Sequence, residues 1–263
     1  MQKRRISKRR EKRINSKKTN IGLLAGILLS ILIFVFLFMF WRVYDIDKFT
    51  YVNKTTDGSA EIIIIDPSSD SVIKYLIPSD TQLSSSREYG NYKVSSLWNL
   101  SEKDGNDGKL VAETITKNYF IPISLWKDNK KGNLNIYQKI KASLILGKKN
   151  NYTEVFDSFK LSNSVLVNFV NAEFLEKIPS VDVEDLTGSY DTAEKVSKIV
   201  EIMGGKITLN SKGYDENLDC IISSKNIRLG NIFAGVFNCK VAKDETLSTD
   251  IKISLGAKFV ERF

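Results

Sequence analysis

The 263-residue chain contains no histidine, only two cysteines and only four prolines. Without an imidazole nothing can carry the proton in a Ser-His-Asp or Cys-His nucleophile system, so those hydrolase classes are excluded. A His/Cys zinc site is excluded with them. Glycine loops that cradle phosphate are missing as well. No GxxxxGK[ST] or GxGxxG pattern occurs, and Gly105–Leu110 (GNDGKL) has the wrong spacing and no hydroxyl residue. A nucleotide-binding enzyme is not expected.

The longest uncharged run is Ile21–Trp41, IGLLAGILLSILIFVFLFMFW. At about 1.5 Å per residue it reaches roughly 31 Å, which matches the hydrocarbon thickness of a bilayer. The spacing predicts one transmembrane helix over 21–41, with Trp41, Arg42 and Tyr44 as an interfacial anchor. The alternative is a fully buried helix of a soluble domain. Residues 1–20 carry ten Lys and Arg against Glu11 alone, which places that tail in the cytoplasm by the positive-inside rule. The run is long for a cleaved signal and no small-residue cleavage site precedes Val43, so an uncleaved signal-anchor is expected. The chain is then a single-pass protein of the cell membrane, with its carboxyl-terminal part extracytoplasmic.

This assignment changes the meaning of the +8 formal charge. Of 39 basic and 31 acidic residues, ten and one fall in the tail, which leaves 29 and 30 beyond it. The external part is nearly neutral, so no nucleic-acid partner is expected and the tail is read as a topology signal touching anionic lipid.

The prolines punctuate the remainder. After a juxtamembrane stalk (42–57), the β-branched runs Ala60–Asp66 and Ser71–Ile77 flank Pro67-Ser68-Ser69-Asp70 and read as a hairpin. Pro78 ends the second strand at Ile77–Thr81 (IPSDT), and a polar loop with Arg87, Gly90 and Lys93 follows. Lys109–Phe120 reads as a helix with Leu110, Val111, Thr114 and Ile115 on one face, stopped by Pro122. Ile121–Trp126 reads as a strand, Leu134–Leu146 as a helix, Tyr152–Phe159 as a second helix and Ser164–Phe169 as a strand. Pro179 marks a boundary, giving domains over 58–178 and 180–263. In the second, a β-α-β-β-α-β-β order is expected, with a capping-box-like Asp191-x-x-Glu194 opening the first helix and Gly204-Gly205 closing it. The fold class is mixed α/β (α+β): one transmembrane helix, then two extracytoplasmic domains.

Cys220 and Cys239 each sit in an apolar, strand-like stretch on the side of the membrane where disulfides persist. Neighbouring strands would bring their Cα atoms within the range a bridge requires. The alternative is two buried thiols serving as small hydrophobes.

The order strand, turn, strand, IPSDT, YKVSSLWNL and DGKLVAETITKNYFIPISLW over residues 58–128 resembles the extracytoplasmic catalytic domain of the LytR-CpsA-Psr family, which is likewise tethered by an N-terminal helix. The resemblance implies a phosphotransferase that moves a glycopolymer from a polyprenyl-pyrophosphate carrier to peptidoglycan, with Mg²⁺ and several arginines on the pyrophosphate. Here Ser79 stands where that family has the arginine of its IPRDT segment. Its upstream Asp-x-Arg element is missing, and Arg87 is the one arginine between Tyr44 and Ile227. Asp80, Arg87 and Lys93 are the candidate catalytic residues, with Asp80 the candidate metal ligand. Against this stand a turn or helix cap for Asp80 and a solvated Lys93.

Residues 180–260, with the opening strand SVDVEDL, a Thr187-Gly188 turn, the Ala193-x-x-Val196 helix and the closing D-I-x-I-x-L-G, resemble the LytR C-terminal domain. That resemblance implies an envelope-binding module without an active site of its own. The expected function is therefore a non-catalytic, membrane-anchored envelope protein that needs no cofactor and binds or scaffolds wall polymer, carrier lipid or envelope proteins. The alternative is a divergent phosphotransferase.

Overall fold

The structure is a computed structural model that describes residues 24–38, 41, 47–129, 131–147, 151–155 and 163–263. Residues 24–38 form helix α1, whose large apolar side chains are exposed at successive positions and so on every face. Among the described residues no helix is long and apolar enough to cross a membrane. The basic tail, residues 21–23 and 39–40 of the predicted span, and Arg42 and Tyr44 of its anchor lie outside the described residues.

Asp47–Phe263 forms a compact unit of its own. It opens with a mixed sheet ordered β6-β1-β2-β3-β7, from β1 (Phe49–Lys54), β2 (Ala60–Asp66), β3 (Ser71–Ile77), β6 (Leu125–Lys127) and β7 (Asn151–Val155). The β2–β3 hairpin turns at Pro67–Asp70, where Asp70 adopts a φ of 50°. All four isoleucines of β2 are buried, so both faces of this sheet are covered. Ile62 and Ile64 join a core with α2 (Val94–Lys103) and α3 (Lys109–Tyr119) through Leu97, Val111 and Ile115. On α4 (Ile136–Leu146), Ala142 and Ile145 are buried. Between β3 and α2 lies a small hairpin of β4 (Gln82–Ser84) and β5 (Asn91–Lys93).

The second sheet is ordered β11-β10-β12-β8-β9, from β8 (Ser180–Leu186), β9 (Lys206–Lys212), β10 (Cys220–Ser224), β11 (Lys240–Lys243) and β12 (Ile251–Gly256). Two parallel pairs, β8/β9 joined by α7 (Tyr190–Ile202) and β10/β11 joined by α8 (Ile227–Phe237), flank the central β12. Strict alternation in β8 and β12 puts Val181, Val183, Ile251, Ile253 and Leu255 on one buried face. Val196, Ile199 and Val200 of α7 and Phe233 and Phe237 of α8 pack there. The opposite face is polar, with Lys252 paired to Glu184 at 2.9 Å. Helix α9 (Ala257–Arg262) closes the chain, with Phe259 buried in the same core.

The halves exchange side chains. Phe174, on α6 (Ala172–Glu176) before Pro179, belongs to the second core, while Ile202 at the end of α7 belongs to the first. Phe120 touches both cores and ends α3 in a left-handed conformation at φ 60°; Lys198 of α7 sits 4.2 Å from its ring centroid. Pro179 thus separates two sheets of one compact unit.

Several expectations need correction. Within the predicted stalk, 49–54 is β1, which buries Tyr51 and Val52 and pairs with β2 and β6. The predicted helix Tyr152–Phe159 is, over its described part, strand β7, paired in parallel with β3. The open edge of β3 supplies ladder partners along one side of this segment, a tertiary contact that local pattern does not report. The predicted strand Ser164–Phe169 is instead helix α5 (Asn163–Leu166) and a 3₁₀ turn, Val167–Phe169. Only Leu125–Lys127 of the stretch after Pro122 is a strand, and YKVSSLWNL, to which the sequence assigned no element, contains most of α2. The capping box at Asp191 does not form. Ser189 is the cap residue, and Asp191 pairs with Lys195 one turn on at 2.7 Å.

Candidate functional site

Pro78–Thr81 follows β3 directly, and its backbone caps α2. The Val94 N–H donates to the Thr81 carbonyl and the Ser95 N–H to the Ser79 carbonyl, both at 3.0 Å. Two donors that a helix start leaves without intrahelical partners are thereby satisfied, and the Lys93 side chain makes no capping bond. Asp80 is exposed at the tip of this turn. Lys93, also exposed, pairs in register with Gln82, so it shares one end of the β4–β5 hairpin with Asp80.

Arg87 lies at the other end, in the 3₁₀ turn Ser86–Glu88, with a φ of 64°. Its guanidinium donates through Nε and Nη2 to Glu113 Oε2 on α3, at 3.2 and 3.1 Å. Both side chains are largely buried, and Lys109 stands 3.9 Å from the other Glu113 oxygen. The guanidinium therefore neutralises a buried carboxylate, at the far end of the hairpin from Asp80 and Lys93. The donor set does not fit a magnesium site either: Asp80 is a single exposed carboxylate beside a lysine. Among the described residues no group of three or more acidic, His or Cys side chains could hold a metal ion.

The concave surface lies elsewhere, between the two sheets. A cleft of about 260 Å³ has one wall from Phe49 and Thr50 of β1 and from Ser124 and Leu125 at β6. Its other wall is the face of α8 bearing Asn231, Ile232 and Gly235; Gln138, Phe169–Asn171 and Met203 complete it. Lys48 is the one charged residue among those lining it. Burial pushes the Lys48 ammonium below the ordinary lysine range, an effect that the Asp66 charge opposes. Two lining amides have their oxygens engaged in local bonds: Gln138 Oε1 accepts the Asn135 N–H and Asn171 Oδ1 accepts the Glu173 N–H, both at 2.9 Å. Their NH₂ groups take no part in these bonds.

A second, charged cleft of about 420 Å³ lies nearby, lined by Asp47, Glu173, Lys177, Arg228 and Asp250. Its charges pair internally. Arg228 bridges Asp47 and Glu173, each at 2.9 Å, tying the segment before β1 to α6 and α8. Asp250, the aspartate of the closing D-I-x-I-x-L-G, accepts the Ser180 N–H at 3.0 Å and the Ser180 hydroxyl at 2.8 Å, and so fastens β12 to β8. The Ser180 N–H bond leads the effects that hold the Asp250 carboxyl below the usual carboxylate range. Its stabilisation is therefore present above the unfolded value near 3.9 and lost as pH falls through the lower folded value. Asp250→Ala is expected to cost about 1.5–3 kcal/mol at pH 7. In urea titrations of both proteins, the gap is expected to narrow below about pH 4.

Cys220 and Cys239 are joined by a disulfide, with Cα atoms 5.1 Å apart, at the entry to β10 and just before β11. Arg262 of α9 donates to the Phe237 and Asn238 carbonyls, approaches Cys220 Sγ at 3.0 Å and pairs with Asp219.

No family model and no curated protein matches the chain. Among solved structures, it is similar to a transcriptional regulator from Enterococcus faecalis at a TM-score of 0.26 and 11% identity, over 75% of this chain and 90% of that one. Sequence reasoning missed the cleft and Lys48. A lysine one residue before an unrecognised strand carries no local signal; only the α8 face with its interior glycine, Asn231 to Val236, offered a hint.

Proposed function

We propose that the chain is a membrane-tethered, extracytoplasmic protein of the cell envelope that binds wall polymer, carrier lipid or envelope proteins without turning them over. The disulfide Cys220–Cys239 is the observation that carries this reading. Such bonds persist in oxidising compartments, and this one lies downstream of an apolar run preceded by a basic leader. The described part of that run is helical and apolar on every face, as a lipid-facing helix must be. The likeness to the LytR-CpsA-Psr and LytR C-terminal domains supports the envelope setting. The Arg87–Glu113 pair favours a non-catalytic role, since a pyrophosphate needs that guanidinium unspent and beside its metal.

Two measurements test the proposal. Protease added to wall-stripped, sealed cells is expected to digest residues beyond the span and spare the tail; an intact carboxyl-terminal part that is cut only after lysis overturns the orientation. Full-length protein in micelles with Mg²⁺ and a polyprenyl-pyrophosphate-linked glycan is expected to show no turnover. Turnover abolished by Asp80→Ala would establish the phosphotransferase alternative instead.

A further inference from the structure

We propose that the cleft between the first sheet and α8 binds a small, anionic, hydroxyl-rich ligand, one sugar-acid or sugar-phosphate unit, with Lys48 meeting its charge. This rests on the polymer-binding reading above and names the chemistry of the unit bound.

Three observations lead there. The first is charge. Lys48 is half-buried and is the one charged residue lining the cleft, and no described carboxylate lies within ion-pair distance of it. The Asp66 charge acts on it from beyond ion-pair distance, so this partly desolvated ammonium favours an anion brought into direct contact.

The second is the bias toward donors. Gln138 and Asn171 each already use one lone pair of the amide oxygen at the starts of α4 and α6, whereas their NH₂ groups take no part in those bonds. With the ammonium, they favour a ligand rich in acceptor oxygens. The hydroxyls of Thr50 and Ser124 and the amide of Asn231 accept as well as donate, as a polyol requires. Phe49, Leu125, Phe169 and Ile232 provide apolar surface for the C–H face of a ring.

The third is Gly235. Glycine inside a helix is destabilising relative to alanine. Its neighbour Gly230 has a packing reason, because a Cβ there would come within 3.0 Å of Val241 and 3.1 Å of Ser224. A Cβ at Gly235 would meet only Ser124, at 3.8 Å, an ordinary contact. The bare backbone at this position keeps the cleft open and fills no other role in the packing. The volume of about 260 Å³ suits one ring with its substituents.

The test is calorimetric titration of the full-length protein in micelles with glucuronate, glucose 6-phosphate, glucose and inorganic phosphate. At least one of the two anionic sugars is expected to bind, with a dissociation constant on the order of a millimolar. Whichever binds more tightly identifies the source as sugar acid or sugar phosphate. Glucose and inorganic phosphate are each expected to bind about ten-fold more weakly or worse, since each lacks half of the recognition. Lys48→Met is expected to reduce anionic-sugar binding to the level of glucose. Gly235→Leu, which improves helix propensity while filling the cleft, is expected to abolish binding with an unchanged or raised thermal midpoint. If that variant fails to fold, Asn231→Leu fills the cleft from an exposed position one turn earlier.

The proposal is overturned if neither anionic sugar binds, if binding survives the cleft-filling variant, or if inorganic phosphate binds as tightly as the sugar phosphate. Retention on isolated wall material, measured in parallel, separates this result from the functional reading. Wall retention unaffected by Lys48→Met and Gly235→Leu sinks the cleft alone, while sugar binding without wall retention sinks the polymer-binding function and leaves the site standing.

Discussion

Removing the disulfide by the double substitution Cys220→Ala and Cys239→Ala is expected to lower the stability of the external unit by about 3 kcal/mol, or roughly 6–12 °C in thermal midpoint. The bond closes a loop of sequence separation 19 that contains the whole of α8, so in the unfolded chain it removes much of the freedom of that segment. Its native surroundings add to the effect. Cys220 is 3% exposed within the second core, and Arg262 beside it ties α9 to the α8 carboxyl end through the Phe237 and Asn238 carbonyls. Losing the bridge frees the entry of β10 from the segment that leads into β11, and loosens the strap that α9 provides. Urea unfolding with and without reductant is the direct measurement. Coincident curves would mean that the bond contributes nothing.

Phe174→Ala is expected to cost about 3–5 kcal/mol, the range for deleting a buried aromatic side chain. Phe174 is 1% exposed and stacks on Phe233 of α8 with ring centroids 5.3 Å apart and planes within 13°. The same geometry makes a statement about domain boundaries. A fragment that starts at residue 180 lacks this ring and leaves the buried Phe233 facing a void. It is expected to unfold at lower urea than a fragment that starts at residue 172 by a comparable free energy. Equal midpoints for the two fragments would show that the second sheet completes its core without α6.

Which parts of the fold were legible follows from where each signal resides. The β2–β3 hairpin was readable because its β-branched runs and its proline-serine turn are local, and β2 and β3 occupy the residues expected. In the second half, the strand alternation of β8, the apolar stripe of α7 and its stop at Gly204, where φ is +99°, are local too. The errors fall where a distant partner decides. FTYVNK became a strand through pairing with β2 and β6, NYTEV through the open edge of β3, and Phe174 joined a core built mostly from residues after Pro179. The candidate site divides the same way. Asp80 and Lys93 were found from their segment and do share one end of a hairpin, whereas the engagement of Arg87 by Glu113 spans 26 residues and had no sequence signature.

By itself, the sequence determined the excluded chemistry, the charge asymmetry about one long apolar run, the mixed α/β class and most of the element order in the second half. Each of these depends on composition or on periodicity within a single segment. Only the tertiary structure decided that the two sheets share aromatic and aliphatic side chains, that the arginine of the expected site is spent on a buried carboxylate, and that Lys48 lines a cleft opposite Gly235. The reason is that burial and ion pairing are properties of neighbours brought together by folding, and a residue's type does not record which neighbours those will be.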